Sequence, residues 1–78
     1  MLEKLRIKVV YEDFLNKVKL TDEEKEILDR LIDKQKIIKI SMEMGISERT
    51  IKYIKKKINK LFDNYWQIEL VKLLALLN

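Results

Sequence analysis

Apolar residues recur every three or four positions along most of this chain, and that spacing is typical of amphipathic helices. Gly45 is the only glycine and proline is absent, so few residues interrupt helices. We therefore predict an all-α protein of about five helices with short connections. The 78 residues suffice for one small domain. We divide it into an N-terminal helix over residues 1–19, a three-helix core over 20–62 and a C-terminal helix over 63–78.

The N-terminal segment, from Leu2 to about Lys17, fits two patterns. Its apolar residues fit a helical stripe that comprises Ile7, Val10, Tyr11, Phe14 and Val18. Residues 5–9 also alternate as in a β-strand, and several of them are β-branched. A lone strand has no visible partner, so we favour a helix and keep a strand over residues 5–9 as the alternative.

The next two helices have clearer limits. Thr21 and Glu24 form a capping-box sequence, in which each side chain accepts from the other residue's backbone N–H, so a helix is expected to begin there. Its pattern breaks around Asp33. The third helix is predicted from about Gln35 to Glu43. The expected buried residues are Ile27, Leu28, Leu31 and Ile32 in the second helix, and Ile37, Ile40, Ser41 and Met44 in and after the third.

A tight turn is predicted between the third and fourth helices. Gly45 adopts a positive φ at little cost, as a sharp turn often requires. Ser47 follows as an N-cap, and the next helix is predicted from Glu48 to about Phe62. Its apolar stripe comprises Ile51, Ile54, Ile58 and Leu61. Two helices joined in this way predict a helix-turn-helix, a motif whose second helix enters the major groove of DNA.

The last predicted helix, from about Asn64 to Leu77, is apolar on almost every side. Such a helix is expected to be buried on more than one face, and a small core has little room for it. Part of it is therefore predicted to meet a second copy of the chain or another protein, and simple core packing is the alternative. The candidate dimer-interface residues are Trp66, Leu70, Leu73, Leu74 and Leu77.

Positive charge is concentrated in one part of the chain. The net charge is +4, yet residues 34–60 hold nine basic and two acidic residues, a net of +7. The flanking segments are slightly negative, at −2 for residues 1–33 and −1 for residues 61–78. Segregated charge of this kind is expected of a surface that binds phosphates, although a solvated lysine-rich face is the plainer alternative.

Composition excludes several function classes. Histidine and cysteine are absent, so the sequence offers neither a disulfide nor a common metal site. It also lacks a glycine-rich phosphate loop and a nucleophile paired with a base, so we expect no enzyme and no cofactor. The longest apolar run contains Glu69 and Lys72 and is too short to span a bilayer, and no signal peptide is visible. We therefore expect a cytoplasmic protein that does not enter membranes.

The basic helix supplies the candidate DNA contacts. Arg49 can bind guanine O6 and N7 in a bidentate manner, and Glu48 can accept from a cytosine amino group. The residues expected at base edges are Ser47, Glu48, Arg49 and Lys52, with Thr50 and Tyr53 as phosphate or thymine-methyl contacts. Asn59 belongs to the same polar face. The expected phosphate contacts are Lys36, Lys39, Lys55, Lys56 and Lys60, which position the protein without reading sequence.

Two stretches resemble a known family. Residues 20–28 (LTDEEKEIL) and 44–52 (MGISERTIK) resemble the LuxR/GerE-type DNA-binding domain of bacterial transcription regulators, and the likeness extends over about residues 20–74. It implies that Arg49, Thr50, Lys52, Tyr53 and Lys56 lie on the recognition helix and that the last helix mediates dimerisation. The chain departs from the family within residues 34–41, where the usual glycine at the bend is absent and serine replaces alanine. The same residues are also similar to region 4 of sigma-70-type factors.

We therefore favour a small, sequence-specific transcription regulator of bacterial or phage origin that binds double-stranded DNA as a homodimer, with RNA polymerase as a further partner. A two-fold dimer would place its recognition helices about 34 Å apart on a palindromic site. One alternative is a protein-interaction module, similar to sigma region 4, that binds RNA polymerase or another regulator. A second alternative is a DNA-binding component similar to a phage small terminase subunit.

Overall fold

The computed structural model describes residues 2–77, and every regular element within them is an α-helix. These are α1 (Leu2–Leu5), α2 (Lys8–Lys17), α3 (Asp22–Ile32), α4 (Ile37–Met44) and α5 (Glu48–Leu77). The predicted all-α class is confirmed, but two helix limits were wrong. Met1 and Asn78, the ends of the predicted domain, lie outside the described residues.

The N-terminal segment is neither one helix nor a strand. A turn at Arg6 and Ile7 separates α1 from α2, and the Ile7 N–H donates to the Lys4 carbonyl at 3.1 Å. Leu5 is 1% exposed and Phe14 is 0% exposed, whereas Ile7 is 55% exposed. Leu5 and Phe14 are about two and a half helical turns apart, so an unbroken helix would point them in opposite directions. The turn allows both side chains to reach the core.

The predicted fourth and fifth helices are a single helix of 30 residues, α5. Phe62 and Tyr65 continue the buried stripe of Ile51, Ile54 and Ile58 without a change of spacing, and no glycine or proline interrupts them. Asp63 and Asn64 lie on the exposed side. A helix of this length spans about 45 Å, which accounts for most of the molecule's longest dimension of 49 Å.

The core forms where α1 to α4 pack against the first two thirds of α5. The predicted core residues Ile27, Leu28 and Ile40 are fully buried there. An aromatic cluster closes one end, in which the Phe14 ring lies 5.3 Å from each of the rings of Phe62 and Tyr65, with edge-to-face geometry. The N-terminal helices are therefore part of the core.

Glu24 connects the start of α3 to α5. The predicted capping box is confirmed, since the Glu24 N–H donates to Thr21 Oγ1 at 3.1 Å and the Thr21 N–H donates to Glu24 Oε1 at 3.0 Å. The other carboxylate oxygen accepts from Lys57 Nζ at 2.6 Å. This hydrogen bond is the main reason why the pKa of Glu24 lies below its usual range, and the same contact raises the pKa of Lys57. Glu24 can therefore be buried while it remains charged.

Lys34 ends α3 in a conformation that suits glycine. Its φ is 64°, and it is the only non-glycine residue with positive φ among the described residues. The Lys34 N–H donates to the Leu31 carbonyl, and the Gln35 N–H donates to the Arg30 carbonyl, each at 3.0 Å. These two bonds define a Schellman motif, in which the left-handed position is usually glycine. Lys34 occupies the bend where the sequence lacks the expected glycine.

We expect Lys34→Gly to raise the free energy of unfolding by about 0.5–1 kcal/mol, because it removes the strain of a left-handed side chain and this gain exceeds the entropic cost of glycine. Lys36→Gly is the matched control, since it removes the same charge at a residue with φ of −74° and is expected to destabilise. Urea denaturation of both variants tests this, and an equal loss of stability in the two would contradict it.

Candidate nucleic-acid interface

The turn between α4 and α5 comprises Gly45, Ile46 and Ser47, and backbone and side-chain bonds both hold it. Gly45 has φ of 66° and ψ of 32°, so the predicted positive φ is confirmed. The N–H groups of Gly45 and Ile46 both donate to the Ser41 carbonyl, the latter at 3.2 Å. The Ser41 hydroxyl donates back to the Ile46 carbonyl at 2.5 Å. The sequence analysis placed Ser41 among the expected buried residues and did not identify this bond.

Ser47 starts α5 in the predicted way. Its hydroxyl oxygen accepts from the Thr50 N–H at 3.2 Å, which is the N-cap interaction. The two hydroxyl oxygens of Ser47 and Thr50 also lie 2.8 Å apart, within hydrogen-bonding distance. Both residues are exposed. The cap therefore fixes the direction in which α5 extends from the turn at Gly45, Ile46 and Ser47.

The first part of α5 presents a polar face to solvent. We call residues 48–56 the reading end. Its buried side is Ile51 and Ile54, and its exposed residues are Glu48, Arg49, Thr50, Lys52, Tyr53 and Lys56. Tyr53 is 69% exposed on this face. The helical spacing predicted from the sequence thus separates a core face from a continuous exposed face.

The cations of this face are available to an external anion. Within residues 2–77, Arg49, Lys52 and Lys56 take part in no ion pair with another side chain. Lys57, in contrast, points to α3 and is held by Glu24. The structure therefore distinguishes a lysine that stabilises the fold from neighbours that face solvent.

The remaining candidate DNA contacts lie on other positions of α5 and on or next to α4. Lys60 is exposed one turn beyond Lys56, whereas Lys55 and Asn59 are half-buried on the flank of α5. Lys36 precedes α4 and is exposed, and its side chain does not cap that helix. Lys39 is exposed on α4, and its Nζ lies 4.0 Å from a carboxylate oxygen of Glu43. The contacts of these residues with DNA remain predictions.

The last part of α5 extends beyond the core. We call residues 68–77 the arm. Of the predicted interface residues, Leu70, Leu73, Leu74 and Leu77 are exposed on it. Trp66, at its base, is half-buried and stacks on Phe62 with a ring separation of 5.8 Å. The dimer interface remains a prediction, and the arm is the large apolar surface that it would cover.

Known proteins add one finding. The family model described as "Bacterial regulatory proteins, luxR family" (GerE) matches residues 18–62, which is more than half of the 78 residues. The match contains α3, α4, the turn and the reading end, and it confirms the resemblance predicted from the motifs. It stops short of the arm, which the predicted likeness included. No curated protein and no solved structure matches the chain.

Within residues 2–77, no helix is both long enough and apolar enough to cross a membrane.

Proposed function

This chain belongs to the luxR family of bacterial regulatory proteins, and we propose that it regulates transcription by binding duplex DNA in a sequence-specific manner. Membership of this family supports a DNA-binding helix-turn-helix regulator at a general level. The observation that carries the finer proposal is the reading end, an exposed polar face with uncommitted cations directly after a rigid turn. Since bacterial DNA lies in the cytoplasm, the proposal also places the protein there.

We assign base reading to the first two turns of α5, because the N-terminal residues of a recognition helix reach base edges in the major groove. Arg49 is the strongest candidate, since its planar guanidinium can bind both acceptors of a guanine. Glu48 and Lys52 flank it on the exposed face. The hydroxyls of Ser47 and Thr50 already bond each other, so we assign their main role to shaping the turn.

We assign the phosphate contacts to lysines outside the first two turns of α5. Lys56 and Lys60 continue the exposed face along α5, while Lys36 precedes α4 and Lys39 is exposed on it. Each contact would neutralise one phosphate and release counterions, which gives affinity without sequence preference. Lys55 is half-buried and is the weakest candidate.

Arg49→Ala is expected to weaken binding by about 1–3 kcal/mol and to relax the preference at one base pair. Lys56→Ala is the matched comparison, because it removes one exposed cation from the same face. It is expected to weaken binding to all sequences alike and to lower the slope of log K against log salt by about 0.9. Titrations of specific and scrambled duplexes at several salt concentrations separate the two effects. An unchanged sequence preference in Arg49→Ala would refute the groove assignment.

We further propose that a second copy of the chain covers the arm. Trp66, Leu70, Leu73 and Leu77 follow one another at intervals of four, three and four residues, which places them on one face of the helix. The same stripe on both copies is self-complementary, as a two-fold interface requires. We therefore propose that the partner of this apolar stripe is the same stripe on a second copy of the chain.

The arm alone is expected to give a weak dimer. Ten residues of helix extend about 15 Å, which offers less than the roughly 800 Å² per partner of a standard interface. Two half-sites on one DNA molecule would raise the effective concentration of one arm near the other. We therefore propose that the dimer is completed on DNA.

The continuity of α5 sets the spacing of the half-sites. The reading end begins about 35 Å from the centre of the seam between the two stripes. If the arms pair side by side and the helices cross at about 50°, the starts of the two reading ends are about 30 Å apart, close to the roughly 34 Å of one turn of DNA. Antiparallel arms in line would separate them by about 70 Å, or two turns. We propose the side-by-side arrangement.

Selection of bound sequences from a random duplex pool at physiological salt tests the proposed function. We expect a palindromic motif whose half-sites are one helical turn apart. Half-sites two turns apart would indicate antiparallel arms, and a single unpaired motif would remove the symmetric dimer. No enrichment would refute sequence-specific binding and favour the protein-interaction alternative, with the exposed arm as the surface for RNA polymerase or another regulator.

A further inference from the structure

The N-terminal helices hold α5 at the place where the sequence predicted a break. α1 and α2 both lie outside the segment that matches the family, residues 18–62. The Phe14 ring of α2 nevertheless packs against Phe62 and Tyr65 of α5, and Lys4 Nζ of α1 lies 5.2 Å from the centre of the Trp66 ring. These contacts span the junction between the reading end and the arm.

A polar cluster adds directed bonds at the same junction. We call Asp13, Lys17, Tyr65 and Glu69 the brace cluster. The Tyr65 hydroxyl donates to Asp13 Oδ2 at 2.6 Å. Lys17 Nζ donates to Glu69 Oε1 at 2.6 Å and lies 3.2 Å from Asp13 Oδ2. Two residues of α2 are thereby tied to two residues one turn apart on α5.

The electrostatics of the cluster agree with its geometry. The hydrogen bond from Tyr65 is the main cause that holds the pKa of Asp13 below its usual range. The hydrogen bond to Glu69 is the main cause that raises the pKa of Lys17. Asp13 and Lys17 are therefore charged at neutral pH, and the cluster is an alternating set of donors and acceptors across the two helices.

The junction matters because a small bend there displaces the reading end by a large distance. The reading end begins about 23 Å from Asp63, at 1.5 Å per residue. A kink of about 20° at that point would move the start of the reading end by about 8 Å, or about two base pairs of B-DNA. A dimer whose arms are joined can accept one half-site spacing only if each α5 stays straight.

We propose that the brace cluster holds the arm and the reading end in one direction and thereby determines the half-site spacing that the dimer accepts. This inference rests on the proposed function, since it requires two copies on one DNA molecule. The four residues of the brace cluster are positioning residues, because they lie where α2 and α5 meet and act on DNA only through α5.

The test compares duplexes that carry two copies of the selected half-site, with the spacing varied in steps of one base pair over about one helical turn, and a duplex that carries a single half-site. The combined variant Lys17→Met with Tyr65→Phe removes the bonds that cross from α2 to α5 but keeps the buried ring. We expect the wild-type protein to prefer one spacing. In the variant, we expect the ratio between the best and worst spacings to fall about tenfold, while affinity for the single half-site stays unchanged.

The chain provides a matched control on the same helix. Lys8 pairs only with Glu12 of α2, at 4.0 Å, among the ion pairs of residues 2–77. Lys8→Met therefore removes the same charge without touching α5, and its spacing preference is expected to equal that of the wild type. The single variant Lys17→Arg, which retains Tyr65, is expected to show the wild-type spacing preference because arginine keeps both ionic contacts within reach.

The possible outcomes separate this inference from the proposed function. An unchanged spacing preference in the combined variant would overturn the role of the brace cluster. A wild-type protein that binds the single half-site but shows no preferred spacing would overturn it too, and would leave sequence-specific binding intact. If the wild-type protein bound none of the duplexes, the proposed function itself would be refuted.

Discussion

Replacing Phe14 with alanine is expected to lower the free energy of unfolding by about 3–5 kcal/mol. Phe14 is 0% exposed and its ring contacts those of Phe62 and Tyr65. The truncation leaves a cavity at the centre of this aromatic cluster, which α2 and α5 share. Small domains are stable by only about 5–15 kcal/mol, so the variant would lose a large part of its stability. Urea denaturation followed by circular dichroism at a fixed protein concentration measures the change.

Val9→Ala is the control for this substitution, because it shortens an apolar side chain of the same helix at a position that is 74% exposed. Its effect is expected to stay within about 0.5 kcal/mol. If Phe14→Ala lost no more stability than this control, α2 would not be part of the core. The contrast matters because Phe14 lies outside residues 18–62, so the result shows whether the matched segment depends on the N-terminal helices.

The features that the sequence predicted correctly are local. The capping box of Thr21 and Glu24, the turn at Gly45 and the N-cap at Ser47 each bring together residues no more than five positions apart. Their backbone donors and acceptors must be satisfied wherever the helix begins or ends. Such signals can therefore be recognised without knowledge of the tertiary structure, and they were sufficient to locate the helix-turn-helix.

The helix limits that were wrong depend on packing between distant segments. The break predicted near Phe62 does not occur, because Phe62 and Tyr65 continue the buried stripe and pack against Phe14 of α2. Leu5 and Phe14 determine the turn between α1 and α2, because both must reach a core formed mainly by α3 and α5. The periodicity of one segment contains no information about which partner it will meet.

The candidate site shows the same division. The exposed face of the reading end follows from helical spacing alone, and the structure places its members together as predicted. The ion pair between Glu24 and Lys57 joins residues 33 positions apart, and the bond between Tyr65 and Asp13 joins residues 52 apart. No motif marks either pair. Sequence reasoning therefore predicted which residues are exposed on this helix and missed the contacts that hold the helix in position.

The arm offers the second large effect. Leu73→Lys is expected to weaken binding to a palindromic duplex by about 10²-fold, because it places two positive charges in the seam and removes the gain in effective concentration that joined arms provide. Binding to a duplex with one half-site is expected to remain unchanged. Leu73 is 53% exposed, so the substitution leaves the core intact, and circular dichroism verifies this.

Leu76→Lys distinguishes the seam from the rest of the arm. Leu76 is also exposed, at 83%, and it lies three residues from Leu73, but it is not part of the stripe of Trp66, Leu70, Leu73 and Leu77. The same charge near the same DNA is therefore expected to change binding to the palindromic duplex by less than about threefold. Equal effects of the two substitutions would contradict a seam with a defined face. If neither weakened binding, the partner of the arm would be another protein, and DNA recognition would need only one copy of the chain.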